Sequence, residues 1–149
     1  MNYRLRTHRG FSLIELILAF VIMGILAAIV IPRVTKADLY NKFLIYTTAH
    51  QVAGDLRLAR RLAVTNGDDY KLGFTADTYA IFKDNSGAWD QIGEEKTIGG
   101  DITRTGTTSI TFSPSGAASG NGNFKFEAGT TRYKADVTRS TGSVVLGTY

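Results

Sequence analysis

The sequence predicts an α+β protein: a long N-terminal helix, membrane-like in its first half and amphipathic in its second, packed on an antiparallel β-sheet domain. Three observations predict it. From Phe11 to Ile31 the conventionally polar side chains are Ser12 and Glu15 alone. From Val34 to Thr65 apolar residues recur at helical spacing, and after Gly67 short strand-like runs stand between turn residues.

The first element is the apolar run. About 20 such residues cross a bilayer core as a helix, whereas a cleaved secretory signal has an apolar stretch of roughly 7 to 15 with small residues at the cut. The run to Ile31 is too long for the second description, and Ala27-Ala28 is a poor cleavage site. Pro32 closes it, with three readings open: a kink, backbone carbonyls freed inside an assembly, or the outer end of a membrane span.

The second element carries its apolar residues at Val52, Leu56, Ala59 and Ala63, with Val34, Phe43 and Leu44 upstream, which predicts one buried helix face. Asn66-Gly67 follows the last periodic residue as a left-handed terminator would, so the helix is expected to stop near Thr65. If residues 11–65 form one rod, it is roughly 80 Å long, far more than a membrane is thick. The third element is read as strands at 70–74, 79–83, 107–112, 123–127, 131–137 and 143–146. Between them lie the turns Ala76-Asp77, Asn85-Ser86-Gly87, Ser113-Pro114-Ser115-Gly116 and Gly120-Asn121-Gly122. A helix with one apolar stripe and a sheet with one apolar face each need a partner, and packing one on the other satisfies both. The expected divisions are 1–10, a short basic leader; 11–32, the apolar helix; 33–66, its amphipathic continuation; and 67–149, the β domain.

Composition narrows the function. The formal charge is +4, but Arg4, Arg6 and Arg9 fall in the first ten residues with no acid among them, so the remainder is nearly neutral. Overall basicity therefore says little about polyanions, and only local patches count. The absence of cysteine excludes disulfides and thiolate metal sites. No catalytic constellation is evident: His8 is in the leader, His50 is on the helix, and Ser119 is not in a nucleophile elbow. Gly120-Asn121-Gly122 has Lys125 where a dinucleotide loop needs its third glycine, and Asp68, Asp69 and Asp84 lack the spacing of a calcium loop. No enzyme activity, cofactor or metal is expected.

The informative segment is Arg9-Gly10-Phe11-Ser12-Leu13-Ile14-Glu15, just before the apolar run. A carboxylate inside a membrane helix costs at least a few kcal/mol and usually faces a partner. A boundary position near the headgroups is one explanation for Glu15. Cleavage between Gly10 and Phe11 is another, because it creates an α-amine four residues before Glu15, about 6 Å along the same helix face.

Gly10, Phe11, Glu15 and the apolar run together resemble the type IV prepilin processing motif. The resemblance implies that a membrane prepilin peptidase cuts after Gly10 and N-methylates Phe11. It also implies that Glu15 pairs with a neighbouring subunit's amine during assembly, a buried ion pair acting as a register device. Bases flank the span on both sides, Arg33, Lys36 and Lys42 matching the leader, so the positive-inside rule does not orient it. The resemblance does, implying a cytoplasmic leader, a single pass through the inner membrane and a periplasmic β domain.

Three later stretches resemble the GspH/FimT group of minor pilins and pseudopilins: Leu56-Arg57-Leu58-Ala59-Arg60-Arg61-Leu62-Ala63, Ile110-Thr111-Phe112-Ser113-Pro114-Ser115-Gly116, and Thr141-Gly142-Ser143-Val144, with Ser143 where members often have Arg. The implied fold is pilin-like. The implied function is that of a minor pseudopilin of a type II secretion system, with other pilin or pseudopilin subunits as partners. The alternative is a type IV pilus minor pilin serving pilus assembly or DNA uptake. For that alternative a nucleic-acid patch is sought at Arg57, Arg60, Arg61, Arg132, Lys134 and Arg139, although Asp55 and Asp136 interleave with it.

Overall fold

A computed structural model describes residues 12–34 and 37–149, with side chains for 12–28 and 39–149. Two helices come first, α1 at Leu13–Val34 and α2 at Ala37–Asn66. Eight strands follow: β1 Tyr70–Thr75, β2 Thr78–Asn85, β3 Ala88–Thr97, β4 Thr103–Gly106, β5 Ser109–Phe112, β6 Gly122–Ala128, β7 Thr131–Val137 and β8 Val144–Thr148. The chain divides into two compact units, one ending at Lys36 and the other running from Ala37 to Tyr149.

In the second unit the strands form two antiparallel four-stranded sheets, ordered β3-β2-β1-β5 and β4-β6-β7-β8, where one sheet was expected. α2 lies against β1 and β5 of the first sheet and β6, β7 and β8 of the second. Its buried face is Ile45, Ala49, Val52, Ala53, Leu56, Ala59 and Ala63, and the alanines let the backbone approach the strands closely. Tyr70, Leu72, Ile110 and Phe112 meet it from the first sheet, and Phe124, Phe126, Ala135, Val137 and Val144 from the second, in one continuous core. β6 alternates buried and half-buried residues along its whole length, as a strand with one face on a core must.

Four of the helix positions expected to be buried, Val52, Leu56, Ala59 and Ala63, are fully buried, and Leu44 packs partly against the core. Phe43 is a correction: it is 67% exposed. At about 100° per residue it stands roughly 200° from Ile45, on the opposite side of the helix. Val34 lies in α1, with its side chain outside the described residues. α2 ends at Asn66, where Gly67 takes the left-handed conformation (φ 75°) and its N–H reaches the Ala63 carbonyl at 3.0 Å.

β3 and β4 are additional to the expected strands. β3 is exposed at every position except the half-buried Lys96, so its sequence carries no alternation to read. The Asn85-Ser86-Gly87 turn joins β2 to β3, with Ser86 at φ 55° and Gly87 at φ 97°, both positive as a two-residue hairpin loop of this twist requires.

Candidate assembly surface

α1 begins on Ser12, whose carbonyl accepts the N–H groups of Glu15 and Leu16 at 3.0 and 3.2 Å. Glu15 sits in the first helical turn, where a carboxylate is favoured by the helix dipole. Every large apolar side chain described on α1 is exposed, from Leu13 at 76% to Leu26 at 57%. Glu15, Leu16, Ala19, Phe20 and Met23 line a groove on it, and small Ala19, one turn after Glu15, leaves its middle open. Gly10 and Phe11 lie outside the described residues, and Pro32 falls within α1 with its side chain outside them. Among the described residues no helix is long and apolar enough to cross a membrane. The described side chains of α1 stop at Ala28, whereas the apolar run of the sequence continues to Ile31.

The unburied side of α2 changes character along its length. Leu39, Tyr40, Phe43 and Tyr46 are all exposed near its start. Tyr46 lies against His50 at a tilt of 38°, with centroids 4.0 Å apart, and meets Tyr133 of β7 edge-on at 6.0 Å. Contiguous exposed apolar surface of this kind marks contact sites. Farther along, the same side carries Arg57 and Arg61.

The six basic residues singled out in the sequence separate into three settings. Arg57 Nη2 donates to the Val144 carbonyl at 3.1 Å, and Arg60 Nε donates to the Gly116 carbonyl at 3.0 Å. Arg132 and Lys134 stand near carboxylates, Glu127 at 4.0 Å and Asp136 at 2.9 Å. Arg61 and Arg139 are exposed, and Arg139 uses its backbone N–H to reach Asn121 Oδ1. Gly142, left-handed at φ 60°, comes so close to Arg60 and the Gly116 carbonyl that a side chain there would collide with both. Arg60, Gly116 and Gly142 belong to the three separate sequence stretches noted above, and they meet at one point.

Sequence reasoning missed a second cluster. Asp55 is 7% exposed on α2 and accepts the Tyr79 hydroxyl at 2.7 Å and Lys96 Nζ at 2.8 Å. Burial, then the hydrogen bond to Asp55 and its charge, push the Tyr79 phenol far above the ordinary tyrosine range. An acid one position before the buried Leu56, on an otherwise apolar arc, was the available signal.

An exposed apolar helix led by a carboxylate, followed in the chain by a domain in which a second helix packs on antiparallel sheets, defines the pilin-like class of subunit. Residues 48–143 match the family model described as Type II transport protein GspH, and residues 5–31 match the prokaryotic N-terminal methylation motif. The chain belongs to the GspH family. In fold it is similar to the minor pseudopilin EpsH from the type 2 secretion system of Vibrio cholerae: 10% identity, TM-score 0.62, covering 70% of this chain and 96% of that one. It is also similar to the type IV minor pilin FimU of Pseudomonas aeruginosa in two crystal forms. These give 15% and 14% identity, TM-scores of 0.58 and 0.60, 68% and 69% of this chain, and 91% and 87% of the other. A search of curated sequences found no match. Family and neighbours are pilin-like subunits, not enzymes.

Proposed function

We propose that this chain is a minor pseudopilin of a type II secretion system, a structural subunit of the periplasmic pseudopilus. In this reading a prepilin peptidase cuts between Gly10 and Phe11 and methylates the new amine. The apolar helix then holds the subunit in the inner membrane, C-terminal domain in the periplasm, until it enters the filament. The observation that carries the reading is α1 itself, apolar and exposed from Leu13 to Leu26 with Glu15 in its first turn. Such a surface is stable only in lipid or among similar helices, and a carboxylate there needs a cationic partner. The α-amine of a neighbouring subunit supplies one.

The first experiment is the mass of the N-terminal peptide of the protein extracted from its native host's membranes. A peptide beginning at N-methylated Phe11 is expected. One beginning at Met1, or after the apolar run, overturns the filament reading. Glu15→Ala is expected to leave processing intact and to lower incorporation into the filament, and normal incorporation would remove Glu15 from that role.

A second reading, a type IV pilus minor pilin for pilus assembly or DNA uptake, is supported by the similarity to FimU and by exposed Arg61 and Arg139. Deletion separates the two readings. Loss of exoprotein release supports the secretion system, and loss of twitching or transformation supports the pilus.

A further inference from the structure

The slot beneath Asp55 has no role in the reading above. α2 covers the inner face of β1 but leaves that of β3 open. Ile92 shows this: it pairs with buried Ile81 across the strands and points to the same side of the sheet, yet it is 41% exposed. Between the helix and the hairpin lies a cavity of about 210 Å³. Its walls are apolar, formed by Leu58 and Leu62 of α2 with Ile81 and Ile92, and at one end Tyr79 and Lys96 close around the Asp55 carboxylate. That end is internally neutral. Lys96 balances Asp55 and Tyr79 fills one of its lone pairs, so an apolar group can enter without stranding a charge.

The rim differs in sign: Glu94 lines the slot and is exposed, whereas Glu95 is turned away to accept the Thr78 hydroxyl and Asp90 lies opposite Lys83. β3 is also a poor edge for adding another strand, because it carries an inward-pointing lysine and a left-handed glycine at Gly93 (φ 76°). The slot therefore suits a side chain and not a strand.

We propose that this slot is a docking site for a partner protein segment that inserts one bulky aliphatic or aromatic side chain between Leu58, Leu62 and Ile92 and sets an adjacent Lys or Arg against Glu94. The Glu94 carboxylate, uncompensated in the slot lining, favours this occupant over an acidic peptide, and the site requires neither the secretion nor the pilus assignment.

The test uses the full chain in phosphatidylcholine nanodiscs, methyl-labelled at Ile and Leu and titrated with the synthetic peptide acetyl-Gly-Lys-Leu-Lys-Gly-amide. Saturable shifts of the Leu58, Leu62 and Ile92 methyls are expected. The Lys-Ala-Lys peptide should bind about tenfold more weakly, having lost most of the buried apolar area. The Glu-Leu-Glu peptide should bind roughly threefold more weakly, as exposed charge pairs allow, and Glu94→Lys should reverse that preference. Absence of slot shifts overturns the proposal. Equal binding of the Lys-Leu-Lys and Glu-Leu-Glu peptides overturns it in favour of a simple apolar cavity, and equal binding of the Lys-Leu-Lys and Lys-Ala-Lys peptides reduces it to surface charge.

Discussion

Arg60 and Gly142, 82 positions apart in the sequence, share one point of contact, where the Arg60 guanidinium lies over Gly142 while donating to the Gly116 carbonyl at 3.0 Å. Arg60→Ala removes a charge-assisted bond to a part-buried carbonyl and should lower stability by about 1–3 kcal/mol. Gly142→Ala should lower it at least as much, since the new methyl meets backbone and the positive φ adds strain. Urea midpoints check both, and a Gly142→Ala variant as stable as wild type would contradict the contact.

Tyr79 and Asp55 predict a pH dependence. The folded-state pKa of Tyr79 is raised, so its contribution is fully present below the unfolded value near 10 and is lost as pH climbs above it. Stability should fall by up to about 1.4 kcal/mol per pH unit on this account, and Tyr79→Phe should flatten that part of the slope. Tyr149, pushed up to about 12 chiefly by burial and then by its hydrogen bond to Glu127, titrates in the same direction, so Tyr149→Phe is the control. Denaturation from pH 8 to 11.5 reads the difference.

The two sides of α2 should respond oppositely to substitution. Leu56→Ala opens the core and should cost about 2–5 kcal/mol. Phe43→Ser should change domain stability by no more than about 0.5 kcal/mol, because the ring is exposed. On the filament reading the same substitution should reduce incorporation in cells, and thermal melts alongside filament fractionation separate the effects.

Were the domain to bind DNA, Arg61→Ala and Arg139→Ala should weaken binding and flatten its salt dependence by about one unit of slope each, without loss of stability. Arg60→Ala would act through the fold instead. Filter binding over a salt series, paired with melting curves, distinguishes the two outcomes.

Much of this architecture was legible in the chain. The 3.6-residue spacing from Val52 to Ala63 and the Asn85-Ser86-Gly87 turn correspond to observed features because burial and positive φ both leave local marks. β3 left none, since a strand exposed along its length has no hydrophobic period. The division into two sheets was equally hidden, because pairings such as Leu72 with Ile110 or Thr105 with Lys125 are set by contacts between strands that do not follow one another in the chain. The arginines were visible as charges, but their carbonyl partners at Gly116 and Val144 were not, since a backbone carbonyl carries no sequence signal for what it accepts.

The change in polarity along the outer side of α2 has a consequence for how deep a subunit sits. From Leu39 to Tyr46 that side is greasy, and by Arg57 it is charged. At 1.5 Å per residue the greasy part continues for about 10 Å and ends near Tyr46. On the filament reading that boundary would act as a waterline among neighbouring helices. A subunit pushed farther in would strand guanidinium groups in oil, and one left farther out would leave Phe43 wet, so the helix itself would meter the height at which the β domain rides.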